Sequence, residues 1–238
     1  MPEYIYLYMK RKNVLCALFS NLAIVCIVGV LFFVCKPFPV TAPVFSPIYN
    51  GDKEKGCVAL MFNVYENSEN VKKILSVLDE KKVRATFFVG GVWAEKNAPL
   101  LKEISLRGEL GNHGYLHRDH KKLSLERNKE EIMLCHNLVE KLVGVKMDLF
   151  APPSGSYGEN CLSVCRENGY KVIMWSKDTI DWRDKDEDLI LKRATSDIQS
   201  GDLILMHPTD QTVNALPKII DEIKSHGFHP VTVGEVLA

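Results

Sequence analysis

Apolar positions divide this chain into two regimes. Residues 14 to 35 are apolar almost without interruption: the run Val14 to Cys35 has no charged residue, and only Ser20 and Asn21 in it are notably polar. From Cys57 onward the pattern changes to short apolar runs alternating with amphipathic stretches. At about 1.5 Å per residue a helix over the first run covers roughly 33 Å, close to the ~30 Å of bilayer hydrocarbon. Lys10, Arg11 and Lys12 precede it and Lys36-Pro37 closes it. Basic flanks stay on the cytoplasmic side, which directs the C-terminal bulk outward. A cleaved signal peptide is the competing reading. Its apolar core is ordinarily 7–15 residues and is followed by a small-x-small site, which does not come at once here. The expected layout is a basic cytoplasmic segment over 1–12, a transmembrane anchor over 13–35, a proline-rich stalk over 36–54 and one domain over 55–238.

Within that domain the runs predict strands over Cys57–Phe62, Val83–Val89, Glu109–Asn112, Met147–Phe150, Lys171–Trp175, Asp202–Met206 and Pro230–Val233. Helices are predicted over Ser68–Glu80, where Val71, Ile74, Leu75 and Leu78 recur three to four apart, and over Ala98–Arg107, ended by Gly108. Further helices are predicted from a Ser124 cap to Val143 with Gly144 as stop, over Asn160–Asn168, Asp186–Ser200 and Val213–Ser225. Strand–helix alternation at this rhythm implies a parallel sheet with crossover helices, and the number of units suggests a closed or nearly closed barrel. No Gly-rich loop follows the first strand, which argues against a dinucleotide-binding fold.

Charge narrows the partners. The chain has 30 Lys+Arg and 30 Asp+Glu in 238 residues, so its formal net charge is zero and nucleic acid is not an expected partner. Its seven cysteines include three in the apolar N-terminal run (Cys16, Cys26, Cys35), and no CxxC occurs, so neither a disulfide framework nor a thiolate zinc site has support. Cys161 and Cys165 share a helix face, and free buried thiols are the simpler reading of them.

In a (β/α) barrel the chemistry gathers at the C-terminal strand ends. The polar signals fall there: Asn63, His113, Pro152-Pro153, Asp178 with Asp181, and His207. His113 and His117 sit four apart, but Gly114 weakens a helix and stands where a zincin needs Glu; alone the pair fits a solvated loop equally well. His207 ends an apolar strand. Asp178 and Asp181 lie between Trp175 and Trp182, where a carboxylate can fix an imidazole tautomer and an indole can stack on a sugar face, though a loop with two aromatic anchors explains the same residues.

Taken together, order and spacing resemble the polysaccharide deacetylases, the NodB-like carbohydrate esterases, over about residues 57 to 238. That family carries TFDDG, H-S/T-x-x-H, R-x-P-x-G, D-x-x-D-W and L-x-H in this order. Here Met61-Phe62-Asn63-Val64-Tyr65 occupies the first, His113 to His117 the second, Ala151-Pro152-Pro153-Ser154-Gly155 the third, Asp178 to Trp182 the fourth, and Leu205 with His207 the fifth. The resemblance implies a distorted (β/α) barrel and a metal-dependent N-deacetylase of acetylated sugars, with zinc the usual metal. It assigns the metal to His113 and His117, with Val64 replacing the third ligand. It puts Asn63 in the place of the catalytic base and Ala151 in the place of that base's arginine partner. His207 becomes the general acid, Asp181 its orienting partner, and Trp182, Pro153, Ser154 and Leu205 the substrate contacts. Valine has no lone pair to give and an amide takes no proton at ordinary pH. A positioned base is worth roughly 10²–10⁴ in rate, so the expectation is a membrane-anchored homologue that binds a peptidoglycan-type cell-wall polysaccharide with little or no activity, and with no metal or a weakly held one. A working enzyme with a rebuilt metal site, using Glu66, Asp119 or His120, is the first alternative. A partner-binding domain whose groove Tyr65 fills is the second.

Overall fold

A computed structural model describes residues 3–34 and 45–238, in two units, Met1–Val44 and Phe45–Ala238. The first contains helix α1, Glu3–Val34, which includes an apolar span over Leu7–Val30 long enough to cross a membrane. The basic triplet Lys10–Lys12 lies inside this helix, not ahead of it. Residues 35–44, which include Cys35 and the first half of the expected stalk, lie outside the described residues.

The second unit runs in the order β1 (Cys57–Val64), α2 (Ser68–Lys81), β2 (Thr86–Val89), α3 (Gly91–Lys96), α4 (Ala98–Arg107), β3 (Glu109–Asn112), α5 (Leu125–Val143), β4 (Leu149–Phe150), α6 (Glu159–Glu167), β5 (Lys171–Val172), β6 (Lys177–Asp178), α7 (Glu187–Thr195), β7 (Leu203–Met206), α8 (Asp210–Ser225), β8 (His229–Val231) and α9 (Val233–Leu237). Every named strand pairing is parallel, in the order β5-β4-β3-β2-β1-β7-β6, with β8 beside the start of β1. Strand β1 is central and buried at all eight positions. Its side chains alternate between two cores. Val58, Leu60, Phe62 and Val64 join the layer under the helices, with Val71, Ile74, Phe87 and Ile204. Cys57, Ala59 and Met61 fill the concave interior with Phe88, Leu149, Ala151, Leu203 and Leu205.

The curled sheet is not closed by strand pairing. Strands β5 and β6 are its two edges, and the chain passes between them through residues 173–176. Residues 45–54, expected in the stalk, instead belong to the domain unit and line this seam. Ile48 bridges Ile173, Asn50 bridges Asp202, and the Gly51 N–H donates to the Gly201 carbonyl at 2.7 Å. Short helix α9 packs Val233 and Val236 into the interior core. Its N-terminus is held by a reciprocal cap, in which Thr232 accepts from the Glu235 N–H while the Glu235 carboxylate accepts from the Thr232 N–H. The four soluble-domain cysteines Cys57, Cys135, Cys161 and Cys165 are buried and unbridged.

Gly201 tests the seam. Its φ is +86°, and a Cβ there would lie 2.7 Å from the Gly51 carbonyl oxygen. Gly227 has a comparable φ of +82° with nothing nearby. A left-handed non-glycine residue costs about 1–2 kcal/mol. Gly227→Ala is therefore expected to lower the thermal midpoint by roughly 2–8 °C, as read by circular dichroism, and Gly201→Ala, which adds the clash with Gly51, by visibly more.

Candidate functional site

At the C-terminal ends of the strands lies a cavity of about 280 Å³, lined by Asn63, Tyr65, His113, His117, Ser154, Trp175, Asp178, Trp182, Leu205 and His207. Its floor follows from strand alternation. Asn63 and Tyr65 face the cavity and Val64 faces the helical layer, because β1 keeps its pleat to residue 64. Val64 is thus both without a donor atom and turned away.

His113 follows β3 directly, its N–H donating to the Val89 carbonyl at 3.0 Å. Its Nδ1 lies 2.7 Å from the Ala151 carbonyl oxygen, which only accepts. In the neutral ring Nδ1 therefore carries the hydrogen, and Nε2 presents its lone pair. That Nε2 is buried and without a partner, as is Asn63 Oδ1. Burial holds His113 well below its ordinary pKa, and His117 beside it adds to the effect. His117 sits at φ +54° and is also lowered, mainly by burial. The Tyr65 ring lies over His117, centroids 4.1 Å apart, and the two imidazoles are 5.1 Å apart. Burial, with Glu66 and Asp181 nearby, raises the Tyr65 phenol above its usual range.

On the opposite wall the expected acid pair is assembled. His207 Nδ1 donates to Asp181 Oδ1 at 2.8 Å, and the His207 N–H donates to Asp181 Oδ2 at 2.6 Å. Thr212 Oγ1 also donates to Asp181 Oδ2. Asp181 is buried behind His207 and borders a second, adjoining groove with Glu66, Lys73, Trp182 and Asp210. Trp182 is 60% exposed and shared by cavity and groove. Ser154 and Leu205 line the cavity, whereas Pro153 is buried beneath it. Ala151 lies in the interior core, where only its carbonyl reaches the site. Gly155, at φ +64°, leaves room for the Trp175 ring, which a Cβ would meet at 2.7 Å.

The donor set does not fit a tightly held metal. The imidazoles of His113 and His117 lie side by side, but among the described residues no three His, Cys, Asp or Glu side chains converge on one point. Of the three suggested substitute ligands, Asp119 is taken up by Ser156 and Lys122. His120 is buried away from the cavity, with Nδ1 on Asn128. Glu66 alone stands near His117, on the adjoining groove.

Several supporting residues escaped the sequence analysis. Glu131 Oε2 accepts from the Tyr115 and Leu116 N–H groups at 3.0 and 2.7 Å. Asn112 accepts from the Gly114 N–H and donates to the Ile132 carbonyl and Tyr170 hydroxyl. The signal for the first lay in α5: Asn128, Glu131, Ile132, Cys135 and Val139 form one buried stripe, and two of these are polar.

Comparisons with known proteins agree with this architecture. Residues 50–173 match the polysaccharide deacetylase family. The YlxY protein of Bacillus subtilis is 39% identical over 193 residues, covering 81% of this chain, which spans 60% of YlxY's length. A peptidoglycan-N-acetylglucosamine deacetylase of Bacillus cereus is 32% identical over 195 residues, 79% of this chain and 71% of that protein. Among solved structures, the CE4 family pseudoenzyme BA3943 of Bacillus anthracis superposes with a TM-score of 0.79 at 34% identity, covering 82% of this chain and 69% of that one. A BA3943 mutant with restored enzymatic activity superposes equally well, with a TM-score of 0.79 at 33% identity over 82% of this chain and 72% of that one. The chain belongs to the polysaccharide deacetylase family.

Two measurements check the site's energetics. Glu131→Ala leaves two loop N–H groups without their acceptor and is expected to cost about 1–3 kcal/mol in urea unfolding. His113 and His117 are held neutral in the fold but protonate in the unfolded chain near pH 6.5. The unfolded state then binds more protons, so stability is full above that pH and lost as pH falls below it. Unfolding free energies between pH 7.5 and 5 are expected to decline, and less steeply in His113→Asn.

Proposed function

We propose that this chain is a membrane-held member of the family that binds a cell-wall glycan of the peptidoglycan type and does not deacetylate it. The observation that carries the reading is the make-up of the cavity. The positions that the family's base and metal carboxylate would occupy hold Asn63 and an outward-facing Val64, and a phenol ring covers the imidazoles. Ala151 supplies no cation to partner a base. The acid half, Asp181 and His207, keeps its geometry, and Trp182 stays exposed at the rim. A general acid with no base and no carboxylate-completed metal site has no route to an activated water.

Helix α1 supports anchoring, and its basic N-terminal turns favour the domain lying outside the cytoplasm. The B. cereus relative acts on peptidoglycan N-acetylglucosamine and a B. subtilis relative, PdaA, on peptidoglycan N-acetylmuramic acid, which points to the same polymer here. Of the suggested substitute ligands, Glu66 favours the rival reading, a rebuilt metal site, because its charge acts on His117.

Acetate release from an acetylated glucosamine oligomer, with zinc or cobalt added, decides between them. Full-length protein in detergent is expected to match its His113→Ala variant at background. Turnover abolished by His113→Ala or Glu66→Gln would overturn the proposal. Oligomer binding without turnover, weakened about tenfold or more by Trp182→Ala, is the expected companion result.

A further inference from the structure

Two buried acceptors in the cavity stand without a protein partner. Asn63 Oδ1 and His113 Nε2 are both buried, both unpartnered and both lone-pair acceptors. His207 Nε2 is a third acceptor in the neutral ring, since its Nδ1–H is committed to Asp181. Asp178 adds a carboxylate to the wall, with Oδ1 accepting from the Ile180 N–H and Oδ2 without a hydrogen-bond donor among the described residues. No lysine or arginine lines the cavity. Tyr65 and Trp175 contribute aromatic surface. Trp182 already carries the Arg183 guanidinium, 6.0 Å from its ring centroid, which leaves the other two rings for a ligand cation.

Acceptors, one anion and aromatic faces in a cavity without cationic side chains select a ligand that donates hydrogen bonds and carries positive charge. An acetamide meets this set poorly. Its single N–H serves only one of these acceptors, and it brings no charge to the Asp178 carboxylate. A primary ammonium offers three N–H donors and a charge. We propose that the cavity receives the free 2-ammonium group of a de-N-acetylated hexosamine, so that the domain recognises the product of the family's reaction in preference to its substrate. This rests on the glycan-binding reading and adds which form of the sugar is bound. The organic cation takes up the lone pairs that a metal ion would otherwise need, and it requires no third protein ligand.

The test is calorimetric titration of the full-length protein in detergent with a glucosamine tetramer and with the same tetramer fully N-acetylated. Tighter binding of the free-amine form by tenfold or more is expected, and the preference should shrink in Asp178→Asn and in Asn63→Leu. Asp221→Asn, a surface carboxylate on α8, should leave it intact, which separates site recognition from general attraction of a polycation. Circular dichroism melts confirm that each variant is folded. Equal or tighter binding of the acetylated tetramer overturns this proposal and leaves glycan binding standing. Binding of neither tetramer overturns both. A preference that Asp221→Asn reduces as much as Asp178→Asn overturns the assignment to this cavity.

Discussion

Strand β1 is the constraint from which the rest of the site follows. It is paired on both sides, buried throughout, and therefore locked in register. With period two fixed, residue identity at 63, 64 and 65 translates directly into what the cavity contains. Asn63 must face in and Val64 must join Phe62 and Val71 in the helical layer. Valine suits such a strand interior, and here it packs under the helices and offers the cavity no donor atom. The same pleat brings in Tyr65, whose ring fills space over His117.

What surrounds the cavity is not degraded to match. Asn112 and Glu131 still brace the histidine loop, and Thr212 still supports Asp181 behind His207. Such fully bonded buried networks stabilise the folded chain independently of catalysis. The walls can thus persist whether or not a reaction is run, and the surviving His207–Asp181 pair is by itself weak testimony for turnover. The weight lies on the atoms without partners. Unsatisfied Asn63 Oδ1 and His113 Nε2 carry a desolvation cost that nothing in the fold offsets.

The sequence made most of this legible where the physics was local. Helices α2, α4 and α5 had strong apolar periods and recognisable ends, and their bounds differ from expectation by a residue at most. Strands were found but overlong. The expected Val83–Val89, Met147–Phe150 and Lys171–Trp175 shrink to Thr86–Val89, Leu149–Phe150 and Lys171–Val172, because a curling sheet sustains pairing only where neighbours reach. Short α3, α9 and β6 carried too few residues for a period, although the Thr232-to-Glu235 capping box announced α9. His113, His117, His207, Asp178 and Trp182 stand in the motifs that carry the family resemblance, and all five line one cavity. It could not tell that Val64 points outward, that residues 45–54 line the seam, or that Glu131 holds the loop from sixteen residues away. Each of those depends on pairing between distant segments.

The open seam adds a last connection. Residues 173–176 cross from one sheet edge to the other; Trp175 within the crossing and Asp178 just after it both line the cavity. The segment 48–51 fastens that crossing through Ile173, Gly201 and Asp202. Asp202 in turn accepts from Ser176 Oγ at 2.7 Å. The stretch that leads from the N-terminal unit into the domain is therefore bonded to the loop that carries the cavity's one lining carboxylate and one of its rings. Deleting residues 45–54 as dispensable linker would remove packing that positions the binding wall, and a truncated domain would understate the affinity of the whole chain.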